Sequence, residues 1–180
     1  MQRTLLAALV GGIVMFAWGA LAHMVLPIGE MGISAMPAEN EVVAALKAHA
    51  PEAGTYLIPS LQGIPQDQWP ASGPAAFLVW RPETSYGMGS NLGLQFAASV
   101  LAALLAAIVI CHCAAGASIL RKGLMTMGMG LFGWLSISAS YSIWYGFSNG
   151  HSVGQGIEQA AGWFLAGLAM AAVTRKKSGS

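Results

Sequence analysis

Two ionisable side chains lie within apolar stretches of this sequence, and they are the first candidates for chemistry. His23 is near the end of the uncharged run of residues 5–26, and Glu158 is near the start of the last apolar run. An ionisable group inside a membrane costs roughly 2.5–3.5 kcal/mol at the helix centre even on the lenient insertion scale, so it usually has a partner or a function. We therefore expect His23 and Glu158 to contact each other directly or through one water molecule.

Other polar side chains have the helical spacing needed to join this pair. Gln95 and Ser99 are four residues apart in one apolar stretch, and Ser138, Tyr141 and Ser142 fall at helical spacing in another. If the small residues of every helix face inward, these side chains converge near one membrane surface. The predicted polar cluster consists of His23, Gln95, Ser99, Ser138, Tyr141, Ser142 and Glu158. Both a structural hydrogen bond that fixes helix register and a ligand, proton or metal site remain open, and the sequence identifies no catalytic residue and no cofactor.

The tripeptide Cys111, His112 and Cys113 contains side chains that bind zinc or copper(I). On a regular helix, however, residues two apart point about 200° from each other, so both thiols reach one ion only if the helix has already ended. The spacing is also not that of a CxxC redox motif. We therefore expect no metal at this motif. The ten methionines are better explained as packing residues than as copper ligands.

The composition excludes several classes of protein. Of the 180 residues, 56% are hydrophobic and only 8% are charged, which is typical of an integral membrane protein. The sequence contains no phosphate-binding loop, no zinc-protease motif and no nucleophile elbow. The net charge is +1, and no basic patch of the kind that binds nucleic acid is present. We therefore expect the lipid bilayer and other membrane proteins as partners, and no nucleic acid.

Four apolar runs are long enough to cross a hydrocarbon core of about 30 Å. The uncharged run at the N-terminus also resembles a secretory signal, but it is longer than the usual apolar region of about 7–15 residues, so we interpret it as a retained helix. A capping box from Ser152 to Gln155 places the start of the last helix at Ser152. The predicted spans are residues 5–26, 92–113, 124–147 and 153–174.

The segment of residues 27–91 differs in composition from the spans. It contains all eight prolines and six of the seven acidic residues, so it is predicted to be a separate cap outside the bilayer. Within it, residues 39–50 have the spacing of an amphipathic helix. Residues 55–58 and 76–80 are short runs typical of strands. The two runs are expected to pair as an antiparallel ribbon that rests on the helix and on the membrane domain.

The positions of the basic residues predict the orientation. Six of the eight, including Arg3, Arg121 and Lys122, lie at the helix ends on one side, and the other two lie in the cap. By the positive-inside rule both termini are cytoplasmic and the cap is extracytoplasmic. Residues 1–26 and 92–177 then form the membrane domain, followed by the tail 178–180.

These observations predict an all-α membrane protein in which an antiparallel four-helix transmembrane bundle carries a small α+β extracytoplasmic cap between its first and second helices. The expected location is the inner membrane of a bacterium. A non-enzymatic accessory, assembly or interaction subunit of a larger membrane complex is the favoured function. The alternative is a small membrane enzyme or carrier that binds a lipophilic molecule or metal at the polar cluster, around His23, Gln95, Tyr141 and Glu158. A ligand-sized cavity there would favour the alternative.

Overall fold

The computed structural model describes residues 1–84 and 87–174, and most of this part of the chain is helical. In chain order the elements are helix α1 (Gln2–Met24), helix α2 (Glu39–His49), strand β1 (Gly54–Ile58), a 3-10 turn (Gln66–Gln68), strand β2 (Ala76–Trp80), helix α3 (Gly89–His112), helix α4 (Ile119–Gly133), a π-helical turn (Trp134–Ser138), helix α5 (Ala139–Tyr145) and helix α6 (Asn149–Thr174).

Among the described residues, three helices, α1, α3 and α6, are long and apolar enough to cross a membrane. This is consistent with the predicted class of membrane protein. Each of them begins earlier than the sequence predicts, and the difference is largest at α6. The hydroxyl of Ser148 accepts a hydrogen bond from the amide of His151 at 3.1 Å, so the helix starts at Asn149 and the predicted capping box at Ser152 lies inside it. The predicted basic stop at 175–177 and the tail lie outside the described residues.

The third predicted span, residues 124–147, is a helix with an interruption. Helix α4 begins at Ile119 and has 15 residues, about 22 Å of helix, and the π turn then separates it from the short α5. Serine side chains accompany the interruption, because the hydroxyl of Ser136 donates to the carbonyl of Phe132 at 2.8 Å and that of Ser142 donates to the carbonyl of Ser138 at 3.3 Å. Such bonds to the preceding turn compete with regular helix geometry.

Helices α1 and α6 form the centre of the membrane domain, with α3 packed on the far side of α1 and α4 on the far side of α6. The packing is antiparallel. Phe16 contacts Phe96 and Gly12 faces Val100, so α3 runs opposite to α1. Helices α3 and α4 touch each other at few positions, and the closed four-helix bundle is not confirmed.

Small residues make this close packing possible. The buried core consists mainly of alanines, with Ile110 and Met170 as its largest fully enclosed apolar side chains. A Cβ atom added at Gly12 would lie 2.7 Å from the Cα atom of Val100, and one added at Gly167 would overlap the hydroxyl of Thr126. These glycines therefore let neighbouring backbones approach to distances that any larger residue prevents. Gly12 and Gly19, which share a face in the sequence, pack on different helices, since Gly19 lies near Glu158 of α6.

The cap contains the predicted helix and ribbon. Strands β1 and β2 pair antiparallel with Tyr56 opposite Leu78. The indole of Trp80 donates to the carbonyl of Ala50 at 2.8 Å, which ties the ribbon to the end of α2. Phe77 packs on the ring of Tyr145 with a centroid distance of 4.6 Å, so the ribbon also rests on the end of α5. The contact with α2 confirms the predicted support by the cap helix, whereas α5 is not among the described helices long and apolar enough to cross a membrane.

Candidate functional site

His23 and Glu158 contact each other between α1 and α6, and the contact is an ion pair when the imidazole is protonated. The Nε2 atom of His23 lies 3.3 Å from the Oε2 atom of Glu158, which confirms the predicted contact. The pair is not deeply buried, because 54% of the His23 side chain and 20% of the Glu158 side chain are accessible. The contact therefore resembles a partly exposed surface pair more than a pair enclosed in a protein core.

The turn that follows α1 fixes the histidine ring. The amide of Gly29 donates to the carbonyl of Ala22 at 3.1 Å, and this bond folds the chain back over the end of the helix. A Cβ atom at Gly29 would overlap the ring of His23. The imidazole is thus covered by backbone on one side and held by the carboxylate on the other, which leaves it few alternative rotamers.

A second interhelical bond fixes the backbone of Glu158. The indole of Trp18 donates to the carbonyl of Glu158 at 3.0 Å, one turn along α1 from His23. Near it, a Cβ atom at Gly162 would clash with Trp18 and Met15, so α1 and α6 are in close contact just beneath the ion pair. Register between these two helices is therefore set independently of the histidine.

The structure places Gln95 and Ser99 away from this pair. Phe96, which follows Gln95, contacts Phe16, and Phe16 is seven residues or about 10 Å along α1 from His23. The amide nitrogen of Gln95 donates to the hydroxyl of Ser99 at 3.4 Å, and that hydroxyl donates to the carbonyl of Gln95 at 2.9 Å. These polar groups satisfy each other within α3.

The remaining members of the predicted cluster lie on the segment around α5. Ser138 accepts the bond from Ser142 through its carbonyl, and Tyr141 stacks on Phe147 at 5.7 Å. The structure therefore joins His23 to Glu158, Gln95 to Ser99, and Ser138 to Ser142. A shared site built from all seven residues stays a prediction.

Tyr141 belongs to a group of aromatic side chains in mutual contact that was not predicted from the sequence. Its neighbours are Tyr145 and Phe147, and Phe147 also contacts Phe77 of the cap and His151 of α6. The sequence contains an indication of this group, since aromatic residues are dense before and after the turn at Gly146. The rings link the cap to α5 and α6, which is a structural role.

A cavity of about 790 Å³ lies at the opposite end of the helices. This end, here called the Arg3 end, contains the starts of α1 and α4 and the ends of α3 and α6. The polar side chains that line the cavity belong to Arg3, Thr4, Cys111, His112, Ser118, Lys122 and Thr174. From the sequence, the basic residues at this end were expected only to anchor the helix ends at the membrane surface.

The predicted metal candidates Cys111, His112 and Cys113 lie at the end of α3. Both cysteines are free thiols, with Cys111 half-buried and Cys113 exposed. In the part of the chain that the structure describes, no three His, Cys, Asp or Glu side chains come together as a metal site. The nearest arrangement to a reactive centre is the imidazole and carboxylate of His23 and Glu158, which can hold a proton or bind a small polar group.

A comparison of the chain with protein-family models, curated proteins and solved structures found no match.

Proposed function

We propose that this chain is a non-enzymatic subunit of the bacterial inner membrane with four spans, which associates with other membrane proteins through one exposed helical face. In addition to α1, α3 and α6, the proposed fourth span consists of α4, the π turn and α5, and it is the third in chain order. Its three parts have 15, 5 and 7 residues, so the whole path is about 40 Å long and exceeds the hydrocarbon thickness of about 30 Å.

The proposed orientation follows from the antiparallel packing and the charges. Because α1 and α4 start at the Arg3 end and α3 and α6 finish there, both termini are assigned to that side. Arg3, Arg121 and Lys122 are at this end, whereas the acidic cap follows the other end of α1. The positive-inside rule then makes the Arg3 end cytoplasmic.

Several glycines of the helices pack against side chains of the same chain. Gly11 meets Met170, Gly123 meets Leu168, and Gly130 meets Trp163. We therefore assign association with a partner to a different surface.

The observation that carries the proposal is the segment of the π turn and α5, residues 134–145, in which no residue is buried, although Trp134 contacts α6 and Tyr145 contacts the cap. Ile143 and Trp144 are 75% and 78% exposed, beside exposed hydroxyls at Ser136 and Ser140. Serines facing other helices are typical of membrane helix interfaces, where they hydrogen-bond across the contact. We call residues 134–145 the serine face.

Cysteine cross-linking in native membranes tests this proposal. With Cys111 and Cys113 replaced by serine, Ser140→Cys places a single thiol on the serine face. A short bifunctional thiol reagent is expected to give one adduct of discrete mass, and that mass shows whether the partner is a second copy or another protein.

The matched control is Leu101→Cys on α3, a side chain that is 64% exposed on the opposite edge of the domain. It is expected to give no discrete adduct. Equal adducts from both positions, or none from Ser140→Cys, would contradict association through the serine face.

The pair of His23 and Glu158 supports a second candidate function, a carrier or enzyme for a small molecule. This candidate is favoured because more than half of the His23 side chain is accessible while its ring lies beside a carboxylate. Native mass spectrometry of protein released from mild detergent is expected to show a bound species that disappears in His23→Gln. An unliganded mass for the wild-type protein would oppose this candidate.

A further inference from the structure

The cavity at the Arg3 end has the charge of an anion site. Arg3, His112 and Lys122 contribute to its lining, and no acidic side chain does. Its volume of about 790 Å³ is within the range of roughly 300–1,000 Å³ typical of small-ligand sites. The basic side chains of the cavity come from three different helices, so the site exists only in the folded protein.

Lys122 is the decisive residue because most of it is buried and, among the described residues, its ammonium has no counter-ion. Only 6% of the residue is accessible, and buried lysines are rare unless they are paired. Among residues 1–84 and 87–174 no hydrogen bond or ion pair of its ammonium is found. The ammonium is not completely enclosed, because no unpartnered side-chain nitrogen in this part of the chain is, and Lys122 is one of the residues that line the cavity.

The start of α4 adds hydrogen-bond donors beside this ammonium. Ser118 caps the helix by accepting the amide of Arg121 at 3.2 Å and, through its carbonyl, the amide of Lys122 at 3.0 Å. The amides of Ile119 and Leu120 come before the first helical bond and have no partner within the helix. Both residues line the cavity. Amides at a helix start favour negatively charged oxygens.

From this geometry we infer that the cavity binds a phosphate group, with the Lys122 ammonium as its counter-ion and the first amides of α4 as further donors. Two sources supply this chemistry, an anionic phospholipid headgroup and free phosphate. The phospholipid is favoured by position, and this step rests on the topology proposed above: the cavity lies between helix ends, and in that topology these ends are at the level of the headgroups. Basic pockets between membrane helices on the cytoplasmic side bind such headgroups.

Thermal unfolding in mixed detergent micelles tests the inference. The probes are dioleoylphosphatidylglycerol, dioleoylphosphatidylcholine and inorganic phosphate. A ligand that binds only the folded protein raises the midpoint of unfolding in a concentration-dependent way. We expect the anionic lipid to raise it and the zwitterionic lipid to leave it unchanged. Lys122→Gln is expected to weaken the apparent affinity for phosphatidylglycerol by about tenfold or more, as expected on loss of a charged hydrogen-bond partner.

Two further variants separate binding from folding. Arg121→Gln is the matched control, since it removes the same charge from the adjacent residue, which is exposed and does not line this cavity. It should bind like the wild-type protein. Leu120→Glu adds a carboxylate at a lining residue that is 58% exposed. A carboxylate in the first turn is favourable for the helix, so this variant should fold and lose binding even if Lys122→Gln does not fold.

The outcomes are distinct. Stabilisation by inorganic phosphate equal to that by phosphatidylglycerol would support the site and replace the lipid by a soluble phosphate. Equal losses in Arg121→Gln and Lys122→Gln would show unspecific attraction to a basic surface and overturn the inference. Undiminished lipid binding by Leu120→Glu would overturn it as well.

Discussion

Replacing His23 and Glu158 by leucine, separately and together, measures what their contact contributes. The two side chains are 3.3 Å apart, but the histidine is 54% accessible. Coupling energies of exposed ion pairs are about 0.2–1 kcal/mol, whereas breaking an enclosed pair from one side costs about 3–5 kcal/mol. The accessibility places this pair in the lower range, so we expect a coupling of about 0.5–1 kcal/mol.

The assay is equilibrium unfolding of the four proteins of the cycle in one detergent. The coupling is the difference between the double variant and the sum of the single variants. For a chain of this size, 1 kcal/mol corresponds to a shift of about 2–4 °C in the unfolding midpoint. The double variant should therefore be more stable than the sum of the single effects predicts, by roughly that amount.

Two results would refute the reasoning. Strict additivity would mean that the contact is not maintained in solution, and a coupling above about 3 kcal/mol would mean that the pair is fully desolvated. Trp18→Phe is the control, because the Trp18 indole bonds to the backbone of Glu158 at 3.0 Å and not to its carboxylate. Its effect should add to that of His23→Leu.

Three other predictions test the packing and the orientation. Gly167→Ala should destabilise the protein by about 1–3 kcal/mol, because the added methyl overlaps Thr126. Gly128→Ala, with no neighbour within 4 Å, should be neutral or stabilising by up to about 1 kcal/mol. The unfolding midpoints of the two variants are compared, and equal effects would contradict the close packing. Thr126→Val should cost about 0.6–1.5 kcal/mol in unfolding free energy, because the hydroxyl lies 2.8 Å from the carbonyl of Trp163 across the contact of α4 and α6; a midpoint equal to that of the wild type would contradict a stabilising bond. In a cysteine-free background, a thiol at Ser72 in the cap should react with a membrane-impermeant reagent in intact cells and one at Gly116 should not, and the reverse pattern would overturn the orientation.

Periodicity and composition were sufficient for the local elements. Prolines and acidic residues mark the cap, runs rich in aromatic and branched residues mark the strands, and β1 and β2 pair antiparallel as expected. The contact of His23 with Glu158 was predictable because two ionisable groups in apolar helices have few other partners. The residues that bring α1 close to α6, such as Gly162, are also recognisable by size.

The position of a side chain along the helix axis was harder to predict than the helix face on which the side chain lies. Gln95 and Ser99 lie on one face of α3, but the sequence does not say at which level α3 pairs with α1. The contact of Phe16 with Phe96 sets that level and leaves Gln95 below the ion pair. If the level at which two antiparallel helices pair changes by six residues, a side chain moves by about 9 Å along the axis. This distance is enough to separate two polar groups.

Burial of Lys122 was not predictable because a lysine near a helix end usually reaches water. Its neighbour Arg121 does so and is exposed. The difference arises from the close contact of α4 with α6, where Gly123 meets Leu168 and Gly167 meets Thr126. Only the packed pair of helices shows which of two adjacent basic residues is enclosed.

The π turn separates α4, which is packed along α6, from α5, in which no residue is buried. Before the turn, Thr126 and Gly130 hold α4 against α6. At the turn, the Trp134 indole donates to the carbonyl of Ser152 at 2.8 Å, and at the end of α5 the ring of Tyr145 packs on Phe77 of the cap. Between these two contacts, the hydroxyls of Ser136 and Ser140 bond to carbonyls of their own helix, so they are satisfied without a partner and can still accept a bond from another helix. A surface with this property tolerates both the free and the associated state, which is why the serine face, rather than the filled glycine contacts, is the surface to which we assign a partner.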